Sequence, residues 1–162
     1  SGHSFPTRRS SDLTILMVDD DPDDRLLFKE ACEEVRLRNP LEFLENGEQL
    51  VDYLKRRGAY ADLEGEPYPG IILLDLNMPL KDGREALEEI KNDAELRHIP
   101  IIILTTSKDE DDILSSYGLG ASSYIVKPIS LDRLMRVVNS IGEYWVQIVE
   151  VPPTDEGTGE EE

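Results

Sequence analysis

The chain has very little cysteine and histidine for its 162 residues. Its one cysteine, Cys32, cannot form an internal disulfide, and His3 and His98 lack the spacing of metal ligands. Long hydrophobic runs are also missing, because the longest aliphatic runs, Ile71–Leu74 and Ile101–Leu104, fall far short of the roughly 20 residues that span a bilayer. We therefore expect a reduced, cytoplasmic protein without a zinc or disulfide scaffold.

Basic residues are scarce as well. The chain carries 17 Lys and Arg against 35 Asp and Glu, which gives a net charge of -18. Such an acidic chain is repelled by phosphate backbones and by anionic lipid. The composition therefore predicts that neither nucleic acid nor a membrane is a partner.

The two ends of the chain differ in composition from its middle. Residues 1–13 have no apolar stretch or amphipathic period, and residues 3–13 match the translation of a common sequencing adaptor. We interpret 1–13 as a cloning scar and adaptor-derived disordered leader, with a natural disordered leader as the alternative. Residues 150–162 contain acidic residues, no basic residue and a proline pair, which predicts an acidic disordered tail. The remaining range, 14–149, is the expected domain.

Between these ends, apolar strand-like runs alternate with amphipathic helical stretches. The predicted strands are 14–18, 41–44, 70–76, 99–105 and 122–127. The predicted helices are 23–38, 47–57, 82–92, 109–119 and 130–148. Three of the strands are aliphatic on both faces, which is typical of a parallel sheet covered by helices on each side. The pattern predicts an α/β fold with a doubly wound, five-stranded parallel sheet.

Polar residues follow four of these strands. Asp19 and Asp20 come directly after the first strand, Asp75 lies near the end of the third, and Thr105 and Lys127 end the fourth and fifth. Ligands of open α/β sheets bind at the carboxyl ends of the strands. We therefore expect these five side chains to converge in one pocket.

The chemistry of this pocket points to a metal ion and a phosphoryl group. Three clustered carboxylates repel one another unless a cation neutralises them, and oxygen ligands suit magnesium. Lys127 adds a fixed positive charge, and Thr105 adds a hydroxyl donor where an incoming phosphoryl group would lie. The set predicts phosphoryl transfer to a carboxylate.

Each motif also has a purely structural interpretation. Three aspartates before a helix can simply cap it, with Asp21 or Pro22 in the cap and first turn. Tyr124 can be an ordinary strand aromatic, and the other polar residues can belong to loops. Their occurrence at the ends of four different strands favours a functional site.

These motifs, in this order and spacing, resemble the receiver domains of bacterial two-component response regulators over residues 14–149. The resemblance is carried by the acidic pair after the first strand, the DLNMPLKDG segment around Asp75, Thr105, and the GASSYIVKP segment that ends in Lys127 and Pro128. It implies a flavodoxin-like receiver fold with strand order 2-1-3-4-5.

The resemblance also implies a role for each residue of the metal and phosphorylation site. Asp75 matches the phosphoacceptor, and Asp20 matches a direct magnesium ligand. Asp19 matches an acid that binds the metal through water, and Asn77 matches the position whose backbone carbonyl completes the metal site. Magnesium is therefore the cofactor that the resemblance implies.

Three further residues match the part of the family that responds to phosphorylation. Thr105 and Lys127 match the two residues that hold the phosphoryl oxygens, and Tyr124 matches the aromatic that changes rotamer when Thr105 moves. The resemblance also implies a cis peptide bond between Lys127 and Pro128.

Softer features are similar to the single-domain response regulators that are paired with bacterial and cyanobacterial phytochromes. They are the PDD after the acidic pair, the long connection 58–70 and the carboxyl-terminal SIGEYWVQIVEVPP. This similarity implies that a sensor histidine kinase of the phytochrome type is the partner. The expected function is a single-domain response regulator, not an enzyme, whose output is contact with an unidentified downstream protein.

Two alternatives stay open. A phosphatase of the haloacid-dehalogenase type also phosphorylates a strand-end aspartate beside magnesium, but it needs a second aspartate two residues on, where this chain has Asn77. A binding-only pseudo-receiver is disfavoured by the intact set of acids, Thr105 and Lys127.

The last predicted helix carries a wide apolar stripe. Its seam, with spacings of three and four residues, consists of Leu131, Leu134, Val138, Ile141, Trp145 and Ile148. Because exposed Trp and Tyr often form interfaces, we predict a homodimer through Tyr144, Trp145 and Ile148. The alternative is that this helix packs onto the first helix or the sheet of its own chain.

Overall fold

The computed structural model describes residues 12–78, 83–106 and 123–145. Five parallel strands form one sheet in the order β2-β1-β3-β4-β5. The strands are β1 (Ile15–Val18), β2 (Leu41–Leu44), β3 (Ile71–Asp75), β4 (Ile101–Thr105) and β5 (Ser123–Val126). The predicted α/β fold and strand order are therefore confirmed.

Helices connect these strands. They are α1 (Pro22–Val35), α2 (Gly47–Leu54), α3 (Gly83–Lys91) and α4 (Leu131–Trp145), with a 3₁₀ helix at Gly58–Leu63. The helix predicted at 109–119 lies outside the described residues. None of the helices in the described ranges combines the length and hydrophobicity that crossing a bilayer requires.

The aliphatic strands are buried on both faces because helices cover each face of the sheet. In β1, Leu16 and Val18 belong to a core that includes the inner faces of α2 and α3. Ile15 and Met17 point to the other side, where they join the core formed by α1 and α4. All four residues are fully buried, which explains why the run lacks polar alternation.

Local hydrogen bonds fix both ends of helix α1. Asp21 is its N-cap and accepts a hydrogen bond from the backbone N–H of Asp23, and Pro22 occupies the first turn. The prediction that this helix continues to residue 38 is wrong. Arg36 adopts a left-handed conformation with φ of 63°, and Leu37 N–H closes the helix on the carbonyl of Cys32 at 2.9 Å.

Helix α2 also ends earlier than predicted, at Leu54 instead of residue 57, and Arg56 has a φ of 58°. The guanidinium of Arg56 is buried and donates hydrogen bonds to the carbonyls of Glu66 (2.8 Å) and Pro67 (3.1 Å). It also lies 5.0 Å from the ring centroid of Tyr68. Arg56 therefore attaches the long 58–70 connection to the end of α2.

The apolar seam of α4 is largely used within its own chain. Leu134, Val138 and Ile141 are buried against a core that contains Phe28 of α1 and Ile102 of β4. This packing is the alternative that the sequence left open for the first three turns of the helix. The side chains of Tyr144 and Trp145 are not described, and Ile148 lies outside the described residues, so the dimer stays a prediction.

Candidate functional site

Three aspartates meet at the carboxyl end of the sheet. Asp19 and Asp20 follow β1, and Asp75 is the last residue of β3, the strand that pairs directly with β1. One carboxylate oxygen of each lies within 4.8 Å of the others. Asp19 and Asp75 are buried, whereas Asp20 is exposed. The structure thus brings together the three acids that the sequence analysis placed in one pocket.

The backbone orients the two buried carboxylates in the same way. Asp19 Oδ1 accepts the N–H of Asp21 at 2.9 Å, and Asp75 Oδ1 accepts the N–H of Asn77 at 2.9 Å. Each bond holds one oxygen against the turn that follows the strand. The second oxygen of each carboxylate, Oδ2, remains for contacts with charged groups in the pocket.

Lys127 is the cation of this site. Its Nζ lies 3.0 Å from Asp75 Oδ2 and 3.1 Å from Asp19 Oδ2. The lysine follows β5 directly, and its backbone N–H donates to the carbonyl of Thr105 at 2.7 Å, which fixes its position beside the end of β4. The peptide bond between Lys127 and Pro128 is cis, as the resemblance implies.

A fourth carboxylate contacts the lysine. Asp24 Oδ2 lies 2.8 Å from Lys127 Nζ, the shortest of its three carboxylate contacts. Sequence reasoning missed this residue because an acid in the first turn of a helix is already explained by the helix dipole. The signal for it is its place in the first turn of α1, the helix that begins directly after Asp19 and Asp20 at the carboxyl end of the sheet.

Burial shifts the charge balance of the pocket. It raises the pKa of Asp19 to about 7, although the Asp21 N–H and the charge of Lys127 act in the opposite direction. Burial also raises the pKa of Asp75, against the Asn77 N–H and Lys127. For Lys127, burial disfavours the charged form, but Asp24, Asp19 and Asp75 together outweigh it and raise the pKa. A single ammonium therefore does not compensate the burial of these acids.

The donor set of the pocket fits a hard divalent cation. Asp19 Oδ2 is buried and accepts no hydrogen bond, because Lys127 Nζ lies near it without hydrogen-bond geometry. A buried carboxylate oxygen without a hydrogen-bond donor is costly, and a metal ion beside it would offset that cost further than the ammonium at 3.1 Å does. Asp20 and Asp75 add further carboxylate oxygens, and hard cations such as Mg2+ prefer ligands of this kind.

Asn77 lies beside this cluster. It is exposed, its N–H is used by Asp75, and its side-chain amide lies 3.5 Å from Thr106 Oγ1. The role of its backbone carbonyl as a metal ligand stays a prediction.

Thr105 and Tyr124 occupy neighbouring strands next to the pocket. Thr105 ends β4 and is fully buried. Tyr124 pairs with Ile103 across β4 and β5 and packs, half-buried, against the core that includes α2 and α3. Their roles in holding a phosphoryl group and in a rotamer change stay predictions.

The sequence alone did not show why position 83 must be a glycine. It begins α3, and its N–H donates to the carbonyl of Leu76 at 3.2 Å. A Cβ at this position would clash with the carbonyl oxygen of Asp75 and would lie 2.7 Å from the Cα of Leu76. Only glycine therefore allows the start of α3 to lie against the backbone of Asp75.

Comparison with known proteins identifies the family. The family model of the response regulator receiver domain matches residues 15–139, which is most of the chain. The chain belongs to this family. Receiver domains are generally signalling domains without enzymatic activity, so the match argues against a haloacid-dehalogenase-type phosphatase.

Its relatives include another response regulator, for which a metal-bound structure is known. Response regulator Rcp1 of Synechocystis sp. is 39% identical over 138 residues, which cover 85% of this chain and 92% of that protein. The crystal structure of the Mn2+-bound form of Rcp1 has a TM-score of 0.69 and covers 85% of this chain and 96% of that one. Rcp1 is thus a relative that binds a divalent cation.

Two further solved structures are those of phytochrome response regulators. The bacteriophytochrome response regulator RtBRR is 36% identical, with a TM-score of 0.72, over 81% of this chain and 78% of that one. The phosphorylated cyanobacterial phytochrome response regulator RcpA is 39% identical, with a TM-score of 0.70, over 83% and 94%. The chain is therefore a receiver-domain protein whose relatives include phytochrome response regulators.

Proposed function

We propose that this receiver domain accepts a phosphoryl group on Asp75 from the phosphohistidine of a sensor kinase, in a reaction that depends on Mg2+. The observation that carries the proposal is the cluster itself. Asp75 is buried at the carboxyl end of β3, one oxygen is held by Asn77 N–H, and the other faces Lys127 within 3.0 Å and the two further acids.

The transfer needs one bond to break and one to form. A carboxylate oxygen of Asp75 attacks phosphorus, the P–N bond to the kinase histidine breaks, and the imidazole leaves with its electron pair and takes up a proton. Lys127 favours the ionised form of Asp75 against the effect of burial, and it would pair with the oxygens of the incoming group. The aspartyl phosphate is the product.

Asp19 and Asp20 would hold the metal ion next to Asp75, and the carbonyl of Asn77 would complete its ligands. A bound Mg2+ supplies positive charge for the phosphoryl oxygens. Asp19 contributes the buried Oδ2 that has no hydrogen-bond donor, and Asp20 contributes an exposed carboxylate that is accessible from solvent.

The response would pass from the phosphorylated Asp75 through Thr105 to Tyr124. Thr105 ends the strand between β3 and β5, and its carbonyl is bonded to the backbone of Lys127. A movement of Thr105 toward the phosphoryl group would free space for Tyr124 and alter the surface around β5 and α4. Contact with a downstream protein at that surface would be the output.

The proposed donor is a histidine kinase of the phytochrome type. The support is that the relatives at 36–39% identity include the phytochrome response regulators RcpA and RtBRR. Phosphotransfer from a panel of autophosphorylated histidine kinases, phytochromes included, measures the preference directly. A kinetic preference for another class of kinase would remove the phytochrome link and leave the receiver function intact.

Phosphorylation itself is tested with a small phosphodonor, acetyl phosphate. We expect Asp75→Asn to abolish labelling and Asp20→Asn to slow it and weaken its Mg2+ dependence. Asp62→Asn is the matched control, because Asp62 is exposed in the 3₁₀ helix away from the site. Retained hydroxylamine-sensitive phosphate on the Asp75→Asn protein would overturn the assignment.

We also propose that the protein forms a homodimer through the end of its last helix. The seam residues up to Ile141 are used against α1 and the sheet, so the proposal rests on Tyr144, Trp145 and Ile148. Sedimentation equilibrium, with and without phosphodonor, compares the wild type with the Tyr144→Ala, Trp145→Ala variant. A wild type that remains monomeric in both states would end this proposal.

A further inference from the structure

A cavity of about 590 Å³ lies against the amino-terminal parts of β3 and β4 and extends along α4 as far as Arg133. Its floor contains Ile71, the first residue of β3, and Ile102 near the start of β4, whereas Asp75 ends β3. One wall is the face of α4 that carries Val137 and Ile141. The cavity is therefore separate from the proposed phosphorylation site.

The rim of this cavity is basic. Lys91, Arg97, Arg133 and Arg136 line it, together with His98. They converge in a chain that has only 17 Lys and Arg against 35 Asp and Glu. We name this cavity and its rim the basic groove.

The cations of the basic groove have no acidic partner in the described part of the chain. The ion pairs seen between described residues include those of Lys55, Arg57 and Lys127, and none of them involves the four basic residues of the rim. Arg97, Arg133 and Arg136 are exposed, and Lys91 is half-buried. Like charges that converge without counterions repel one another, so the groove favours an anionic occupant with some apolar surface.

The chain itself contains such a segment, which follows α4 in the sequence. Residues 150–162 carry Glu150, Asp155, Glu156 and three terminal glutamates, with Val151 and two prolines as apolar residues. Helix α4 starts after β5, at the carboxyl end of the sheet, and runs back toward the amino end, where Trp145 lies. The chain therefore leaves α4 at the end of the sheet where the basic groove begins.

The tail is long enough to reach the rim of the basic groove. Arg133 and Trp145 are twelve residues apart on one helix, which is about 18 Å at 1.5 Å per residue. From Trp145 to Asp155 the chain has ten residues, which extend to at most about 35 Å. Asp155 and the glutamates after it can therefore reach Arg133, the rim residue of α4 that lies furthest from Trp145.

We propose that the acidic segment 150–162 docks in the basic groove of its own chain. Its carboxylates pair with Arg133, Arg136, Arg97 and Lys91, and Val151 with its prolines covers the apolar floor. Because the groove includes the exposed residues Arg133, Arg136 and Ser140 of α4, the docked segment covers part of the surface that the proposed output would use. Docking of the tail depends on the charges of the groove and the tail, and it does not require phosphorylation at Asp75.

The test uses the full chain with a nitroxide on the tail. Thr158→Cys keeps all six acids and offers one reactive thiol, because Cys32 is buried with its pKa raised to about 12 by that burial. Amide signals of His98 and Ser140, in the groove, are compared with that of Glu48 on α2, on the other face of the sheet. We expect the nitroxide to remove the first two signals and to spare the third.

Three variants of the labelled chain decide whether charge holds the tail. The Arg133→Gln, Arg136→Gln variant should restore the His98 and Ser140 signals. Lys29→Gln, Arg38→Gln removes the same charge from exposed sites outside the groove and should leave the signals lost. A neutralised tail with Asp155→Asn, Glu156→Gln, Glu160→Gln, Glu161→Gln and Glu162→Gln should also restore the signals, and these substitutions do not alter the groove. About 0.5 M salt should do the same, because it screens exposed charges.

Two outcomes would overturn the proposal. One is a signal loss that is equal at Glu48 and Ser140, or that survives both the groove variant and the neutralised tail. The other is a loss of similar size when nitroxide-labelled chains without ¹⁵N are mixed with ¹⁵N chains that carry no nitroxide, since the tail of a second copy would then occupy the groove.

Discussion

At the carboxyl end of the sheet, one ammonium group is shared by three carboxylates, whereas the basic groove, which begins at the amino ends of β3 and β4, is lined by four basic side chains and by no carboxylate among the described residues. The carboxyl-end acids Asp19 and Asp75 are buried, and most of the cations of the groove are exposed. Burial multiplies the energetic effect of a charge. Substitutions in the first region should therefore change stability strongly, and those in the second should change it little.

The largest effect is expected for Lys127→Ala. It removes the cation that faces Asp19, Asp24 and Asp75, so the free energy of unfolding without Mg2+ should fall by about 2–4 kcal/mol. Acetyl phosphate should still label Asp75, more slowly, but the change in amide shifts of α4 on labelling should be lost. Urea unfolding and NMR measure the two effects, with Lys29→Ala as the exposed control. A variant as stable as the wild type, or one with the full shift change, contradicts this role.

A glycine-to-alanine substitution should lower the free energy of unfolding at Gly83, beside the acidic site, and raise it at Gly142, in α4. Gly83→Ala places a Cβ against the backbone of Asp75 and Leu76, and we expect a loss of about 1–3 kcal/mol. Gly142→Ala, inside α4, meets only Leu37 Cδ1 at 3.7 Å and should gain about 0.5–1 kcal/mol from helix propensity. Urea unfolding of both variants is the measurement. Equal effects would show that the close approach at Gly83 is not a constraint.

Asp19→Asn should stabilise the metal-free protein by about 1–2 kcal/mol at pH 8, because it removes a buried charge and keeps an oxygen for the Asp21 N–H. In the folded wild type, the pKa of Asp19 is about 7, above its ordinary value of 3.8. Between these two pH values, the folded state therefore binds more protons than the unfolded state. The free energy of unfolding in EDTA should therefore fall as pH rises from about 5 to 8.

That decline should be shallower in Asp19→Asn and unchanged in Asp62→Asn. Added Mg2+ should raise the stability of the wild type at pH 8 more than that of the Asp19→Asn variant, because ligands that bind only the folded state stabilise it. A wild type whose stability is flat over this pH range in EDTA would refute the burial argument for Asp19.

The smallest effect is expected in the basic groove. Arg133→Gln with Arg136→Gln should change the free energy of unfolding by less than about 0.5 kcal/mol, since both side chains are exposed. The rate of labelling by acetyl phosphate should equal that of the wild type. A fall in labelling as large as that of Lys127→Ala would show that the two regions are coupled.

The sheet could be predicted because its signal is local and repeated. Runs such as Ile71–Leu74 are apolar on both faces, and only a strand between two helical layers buries both. Asp19, Asp20, Asp75 and Lys127 could be placed together because parallel strands bring their carboxyl ends to one edge. The strand order came from the family resemblance.

The features that sequence did not reveal depend on tertiary contacts. The early ends of α1 and α2 are set by Arg36 and Arg56 in left-handed conformations, where propensity favours glycine. Asp24 reaches Lys127 because the start of α1 and the residue after β5 both lie at the carboxyl end of the sheet. The basic groove combines residues 91–100 with the face of α4, two segments that no local pattern connects.

The central claim is that the acidic end of the sheet is a magnesium-dependent phosphoacceptor site with Asp75 as its nucleophile. The most direct test treats the wild type with acetyl phosphate, reduces the acyl phosphate with borohydride, and maps the resulting homoserine by peptide mass spectrometry. The account predicts modification at Asp75 alone, present with Mg2+ and lost in EDTA. Modification at another carboxylate, or equal modification of Asp75 in EDTA, would contradict it.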